Sequence, residues 1–246
     1  MNSKIHFILQ GKGGIGKSMI SATLAQYIQS KGGKAKCYDL DQENPTFSQY
    51  KALNVTHINV MDADRLVDPK KFDGLMGELL ELENEEVVID TGANTFSNLL
   101  AYLLENEVFQ MLEDAGQKVF VHSIVGGGDN LRDTTIGFDS VAKGMQSENV
   151  VLWLNEHFGP VTSDGTPSGA PFVETKVFKA HADKIRGGIY LRKKNDKTFG
   201  DDVRRMNVKR LTIDEIESSP DFAVMERSRL KRLFSETFAQ LNQVSW

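Results

Sequence analysis

Apolar residues along this chain alternate between two spacings. Short runs of strand type recur at 5–10, 35–39, 56–60, 86–90, 118–125, 149–154 and 188–192. Between them, apolar positions repeat at helical spacing near 17–31, 70–83, 96–114 and 130–145. Strands alternating with helices imply right-handed crossovers and a mostly parallel sheet with helices on both faces. The runs Val87-Val88-Ile89 and Val150 to Leu154 are apolar at every position, as strands covered on both sides must be. The expectation is therefore an α/β chain, doubly wound in three layers, forming one domain over residues 1–246.

Between the first strand and the first helix stands Gly11-Lys12-Gly13-Gly14-Ile15-Gly16-Lys17-Ser18. It fits the phosphate-binding pattern G-x-x-x-x-G-K-[ST]. A loop that turns several backbone N–H groups onto a phosphate chain passes through backbone angles that side chains disfavour, hence the glycines. Lys17 places a charge on the β/γ-phosphates, and the Ser18 hydroxyl is suited to Mg²⁺. The helix that runs on through Met19 adds its N-terminal dipole. Gly32-Gly33 marks its end.

A phosphate loop holds a nucleotide; hydrolysis also needs Mg²⁺ and a positioned water. Two strand ends offer carboxylates, Asp39-Leu40-Asp41 and Asp90, the latter followed by Thr91-Gly92-Ala93-Asn94. Ligands of open α/β sheets collect beyond such strand ends. Alternate residues on a strand point the same way, so Asp39 and Asp41 are expected on one side; each acid also suits a cap or turn, and Asp39 suits tying loops together.

With 40% hydrophobic and 26% charged residues the composition is that of a soluble protein. No apolar run reaches the roughly 18 residues of a membrane span, and the N-terminus lacks a secretory apolar region. The single cysteine, Cys37, excludes an internal disulfide, fits a reducing cytoplasm and reads as a core residue. Net charge is −5, unevenly distributed. Lys176 to Arg210 carries twelve Lys and Arg against four acids, a balance of +8 that leaves −13 for the remainder. That segment, with Arg204, Arg205, Lys209 and Arg210, is either a footprint for DNA or a solvated face.

The second lysine of the loop, the DxD strand end and the strand Val87-Val88-Ile89-Asp90-Thr91-Gly92 occur in the order that marks the ParA/MinD family of deviant Walker A ATPases, and the chain resembles that family over about its first 160 residues. The strings IHFILQGKGGIGKS, NPTFSQYKALNV and VLWLNEHFGP further resemble the TraL-type ATPases of conjugative plasmids. The resemblance implies ATP and Mg²⁺ as cofactors and an ATP-dependent homodimer. In it, Lys12 reaches the phosphates of the facing subunit. Lys17 binds phosphate, Ser18 ligates Mg²⁺, Asp41 acts on the attacking water and stands with Ser18 and Asp90 among the metal residues, and Asp90 holds Mg²⁺ through water. Asn155, after the strand ending at Leu154, stands where relatives read adenine; a strand-terminating Asn is the plainer reading. Relaxosome or type IV secretion components are the implied partners. A cytoplasmic place, or one peripheral to the inner membrane or nucleoid, goes with them. Where many relatives read DxDPQ, this chain has Asp41-Gln42-Glu43-Asn44-Pro45, which implies a loop of different shape and slow or partner-dependent hydrolysis. One cysteine excludes the two ligands per subunit of the nitrogenase iron protein, and the loop lacks the spacing of dethiobiotin synthetase.

Three weaker signals remain. Gly126-Gly127-Gly128 after the fifth strand lacks a following Lys-Ser and reads as a flexible loop at the ligand edge. The five histidines show no i, i+4 pair and no cysteine partner, so no zinc site is expected. A last helix, about 221–243, interleaves apolar positions 230, 233, 234, 238 and 241 with Arg227, Arg229, Lys231 and Arg232. It suits an anionic membrane surface or packing against the sheet.

Overall fold

Among the described residues seven strands form one sheet in the order β3-β2-β4-β1-β5-β6-β7, every neighbouring pair parallel. They are β1 (Lys4–Ile8), β2 (Ala35–Asp39), β3 (Thr56–His57), β4 (Glu86–Asp90), β5 (Lys118–Gly126), β6 (Val150–Asn155) and β7 (Ile185–Leu191). The computed structural model describes residues 2–246. Helices cover both faces, as the alternating pattern requires. On one side α1 (Lys17–Ser30) and α9 (Val224–Leu241) pack on Ile8, Cys37, Val88 and Trp153. On the other, α2 (Phe72–Leu80), α3 (Ala93–Glu105), α4 (Val108–Asp114) and α5 (Leu131–Gly144) pack on Ile5, Phe7, Val87 and Ile89. Period two is visible within β1, where Ile5 and Phe7 join one core and Ile8 the other. Short α6 (Lys176–Ala180) adds Val177 and Phe178 to the α2–α5 side. A third, smaller core joins α7 (Asp201–Lys209), α8 (Ile213–Ser218) and α9 through Met206, Ile216, Phe222, Leu230 and Phe234.

The structure trims several sequence expectations. The strand expected over 56–60 is two exposed residues long, because β3 lies at the sheet edge with only β2 beside it. The helix expected over 96–114 is two helices, broken where Glu107 takes the left-handed φ of 51°. In the last helix, Leu230, Phe234 and Leu241 are buried, so the packed alternative describes it. Trp246 also folds back, donating its indole N–H to the Leu241 carbonyl at 2.9 Å. β1 lies between β4 and β5, so its carboxyl end opens at the middle of the sheet beside that of β4, with that of β2 one strand further. The phosphate loop leaves from that point.

Candidate nucleotide site

The loop after β1 is shaped by two residues in the left-handed region, Gly14 (φ 70°) and Gly16 (φ 100°). Gly16 caps α1 without a side chain, and no acid lies in the first turn of that helix. The first-turn amides are thus left to an outside acceptor, the condition under which a helix start binds an anion. Three neighbours clamp the loop. Phe96 of α3 lies so close to Gly11 that an added Cβ would sit 2.8 Å from its ring. The Ile15 side chain is buried over Gly126, where a Cβ would come within 2.3 Å of it. Asn155 donates an amide hydrogen to the Ile15 carbonyl at 3.1 Å.

Lys17 is 7% exposed and donates to the Lys12 carbonyl at 3.0 Å, inside the loop. Burial lowers its pKa, while Asp90 and Asp41 pull the other way. An ammonium that has lost water and holds a single neutral acceptor fits a phosphate oxygen well. Met19 reaches back to within 3.8 Å of a Cβ placed on Gly16.

Asp90 is fully buried at the end of β4, where its Oδ2 accepts from the Ser18 hydroxyl at 2.6 Å and its Oδ1 from Ser21 at 2.8 Å. Burial pushes its pKa up to about 7, against the hydrogen bonds from the two serines. A hydroxyl directly on a carboxylate is a hard oxygen pair suited to a hydrated Mg²⁺. Among the described residues no group of three His, Cys, Asp or Glu side chains gathers as a metal cluster. An ion here would therefore rely on Ser18, Asp90 and phosphate oxygens, the usual manner of Mg²⁺.

Asp39 and Asp41 do different work. Both oxygens of the fully buried Asp39 accept backbone amides, from Asp41 at 2.9 Å and Ser48 at 2.8 Å, so it ties the loop after β2 together. Asp41 is partly exposed; its Oδ1 accepts from Glu43 and Asn44, both at 3.0 Å, and its carboxylate lies against Gly92 beyond β4. Gln42-Glu43-Asn44 thus wraps the Asp41 carboxylate in place of a proline directly after it.

Lys12 leaves the loop altogether. Its ammonium lies 2.8 Å from Asp133, in the first turn of α5, and the pair is open to solvent. Sequence reasoning did not single out Asp133; an acid in the first turn of the helix after the glycine cluster was the available signal. The cluster itself is corrected. Gly127 and Gly128 are in backbone contact with Phe158, Gly159 and Pro160, and a Cβ on Gly127 would be 1.9 Å from the Gly159 oxygen. Close backbone packing, not flexibility, accounts for these glycines.

Asn155 is buried beneath the loop, donating to Ile15 and accepting from the His157 amide at 3.1 Å. In this arrangement it braces the loop and caps the turn that ends its strand. The basic segment is drawn into internal pairs: Arg204 with Asp201, Arg205 with Glu226, and Lys209 with Asp221. Arg210 donates to Gln49 at 3.1 Å.

A parallel sheet with a glycine loop of this shape at its central strand, followed by a lysine-serine helix start, defines a P-loop nucleotide-binding protein. Residues 6–242 match the family described as the CobQ/CobB/MinD/ParA nucleotide binding domain, and the chain belongs to that family. It is 39% identical over 244 residues to Protein TraL of Escherichia coli, covering 99% of each chain. Its fold is similar to that of a chain of the MinC:MinD cell division protein complex of Aquifex aeolicus, with a TM-score of 0.55 and 16% identity, covering 99% of this chain and 97% of the other. MinD complexed with Mg-ADP from Pyrococcus horikoshii has a TM-score of 0.50 and 14% identity, covering 98% and 96%.

Proposed function

We propose that this chain is a Mg²⁺-dependent ATPase that dimerises around ATP and serves as a switch in conjugative DNA transfer. The observation that carries the reading is the position of Lys12. It sits at the mouth of a loop whose amides and Lys17 face a phosphate site, yet its ammonium points outward to the surface at Asp133. A side chain so placed suits the phosphates of a facing subunit. The Mg-ADP bound by the P. horikoshii relative supports the cofactor, and the near full-length similarity to TraL supports the transfer role.

In this mechanism Lys17 and the first-turn amides of α1 hold the phosphate chain and carry its growing charge. Ser18 and Asp90 would hold Mg²⁺, which would neutralise phosphate charge when bound. Asp41 orients the attacking water, its carboxylate held by the amides of residues 43 and 44. The wrapped loop makes slow turnover, hastened by a partner, the expected regime. Asn155 keeps Ile15 and the loop in register, and would contact the adenine of a bound nucleotide.

The alternatives, a partition protein that binds DNA and a scaffold on a membrane, draw less from the structure. Arg204, Arg205 and Lys209 are already paired with carboxylates, and the apolar face of α9 is packed. No helix among the described residues is long and apolar enough to cross a membrane. The deciding experiment is the mass of the Asp41→Ala protein with saturating ATP and Mg²⁺. A dimer that reverts to monomer with ADP is expected; a monomer under both conditions sinks the switch.

A further inference from the structure

A long stretch of this chain carries one sign of charge that the nucleotide site does not use. Between Phe72 and Gln117 there are eleven Asp and Glu and no Lys or Arg in 46 residues. Asp90 belongs to the nucleotide site; the other acids lie outside it. The segment supplies α2, α3 and α4, and a groove with a cavity of about 180 Å³ opens where the three helices meet. Its walls are Met76 and Leu80 of α2, Tyr102 of α3, and Val108, Met111 and Leu112 of α4. Met111 is 48% exposed. Methionines on two of its walls, Met76 and Met111, give a surface that adapts to an incoming side chain.

The rim is acidic. Asp73 accepts from the Tyr102 hydroxyl at 2.7 Å, which fixes its carboxylate at the edge. Exposed Glu105 and Glu107 flank Asn106, which also borders the groove. Among the described residues none of these three acids has a cationic partner. On α2, Gly77 lies between Met76 and Leu80, and a Cβ there or at Gly74 would meet nothing within 4 Å. The fold gives no steric reason for glycine in this helix, where each one costs about 1 kcal/mol relative to alanine. Bare backbone does allow another chain to come close.

We propose that the α2–α3–α4 groove docks a basic amphipathic helix of another protein. Its apolar face would enter between Met76, Tyr102 and Met111, and its Lys and Arg would lie on Asp73, Glu105 and Glu107. Nucleic acid and anionic membranes are repelled by this surface. Among the described residues a second copy of the chain offers no free helix of the kind, because Arg205, Lys209, Arg229 and Lys231 are paired with carboxylates and Leu230, Phe234 and Leu241 of α9 are buried. The proposal does not rest on nucleotide turnover, since binding alone tests it.

The test uses the full chain and a fluorescein-labelled Leu/Lys peptide of about 18 residues, long enough for five helical turns, with leucines at i, i+3, i+4 and i+7. A peptide of the same composition with leucines scattered around the helix is the comparator. In anisotropy titrations at about 0.1 M salt, the patterned peptide is expected to bind at least about tenfold more tightly. Met111→Lys, and Glu105→Lys with Glu107→Lys, should each weaken it at least about tenfold, with unchanged thermal unfolding. Glu174→Lys with Asp214→Lys, the same charge change at exposed sites elsewhere, should not. Equal binding of the two peptides, or equal loss from groove and control reversals, would overturn the proposal. So would self-association of the chain that Met111→Lys abolishes, which would make the occupant a second copy.

Discussion

The Lys12 ammonium rests 2.8 Å from the Asp133 carboxylate, joining the first loop of the chain to the start of α5 across 121 residues. The pair is well exposed, at 35% and 55% of the two side chains, and Lys12 holds the Asp133 carboxyl below the usual carboxylate range. Exposed pairs of this kind contribute little to stability. Asp133→Asn should therefore leave thermal unfolding nearly unchanged. Under the dimer mechanism it should strengthen ATP-dependent association by up to about fivefold, since Lys12 no longer has to leave a partner. Sedimentation of both proteins with ATP checks this, and a weaker dimer would show that Asp133 is needed across the interface.

Lys17 has the opposite character: it is buried, its pKa is lowered by burial, and its acceptor within the chain is a single carbonyl. Lys17→Gln should weaken binding of a fluorescent ATP analogue by about 10- to 100-fold, the loss of a charge-assisted contact. Stability in the absence of nucleotide should hold or rise, because a desolvated charge is removed. Unchanged nucleotide affinity would dissociate Lys17 from the phosphate.

Glycines of three kinds should separate in one set of variants. Gly74→Ala meets nothing within 4 Å and should stabilise by about 1 kcal/mol through helix propensity alone. Gly127→Ala places a Cβ 1.9 Å from backbone oxygen and should destabilise by about 1–3 kcal/mol or more. Gly126→Ala pushes on Ile15 and should weaken nucleotide binding more than it weakens the fold. Urea unfolding and nucleotide titration of the three variants give the comparison.

A histidine pair governs the acid side of the stability profile. The Trp153 indole N–H can only donate, and it donates to Nδ1 of His122 at 2.9 Å, so His122 carries its proton on Nε2. That proton faces Nδ1 of His6 at 3.0 Å, and the remaining His6 Nε2 has no partner among the described residues. Burial holds His122 down to about 3 and His6 well below the ordinary value, the latter helped by His122 and Lys4. Folded pKa values below the unfolded value mean that this stability is present above about pH 6.5 and is lost as pH falls toward 3. Asp90, raised to about 7, acts in the other sense, contributing below the unfolded carboxylate pKa and losing effect as pH rises through 7. Comparing the chain with His122→Gln cancels the Asp90 contribution. The stability difference should shrink below about pH 6.5 by up to about 1.4 kcal/mol per pH unit. A difference independent of pH would mean that His122 is charged in the fold.

Much of the site was legible because its determinants are local. Gly14 and Gly16 are glycines for their own backbone angles, and Lys17 and Ser18 follow from their place at a helix start. The apolar runs at 86–90 and 150–154 are strands covered on both faces because nothing in them tolerates water. The break at Glu107 was not legible, since Asn106 and Glu107 do not oppose a helix; the left-handed turn lets α4 fold back beside α2.

Alternating strands and helices, a parallel sheet and a phosphate loop at the first strand could all be read along the chain. These follow from periodicity and from backbone angles of single residues. Tertiary structure alone decided that Lys12 meets Asp133, that Asn155 braces Ile15, and that Gly126 to Gly128 are glycines for close packing. It likewise decided that the cations of α7 are paired and that α9 turns its apolar face inward. Each of those outcomes depends on which strand lies beside which. Strand order is set by the joint burial of both sheet faces, not by any segment alone.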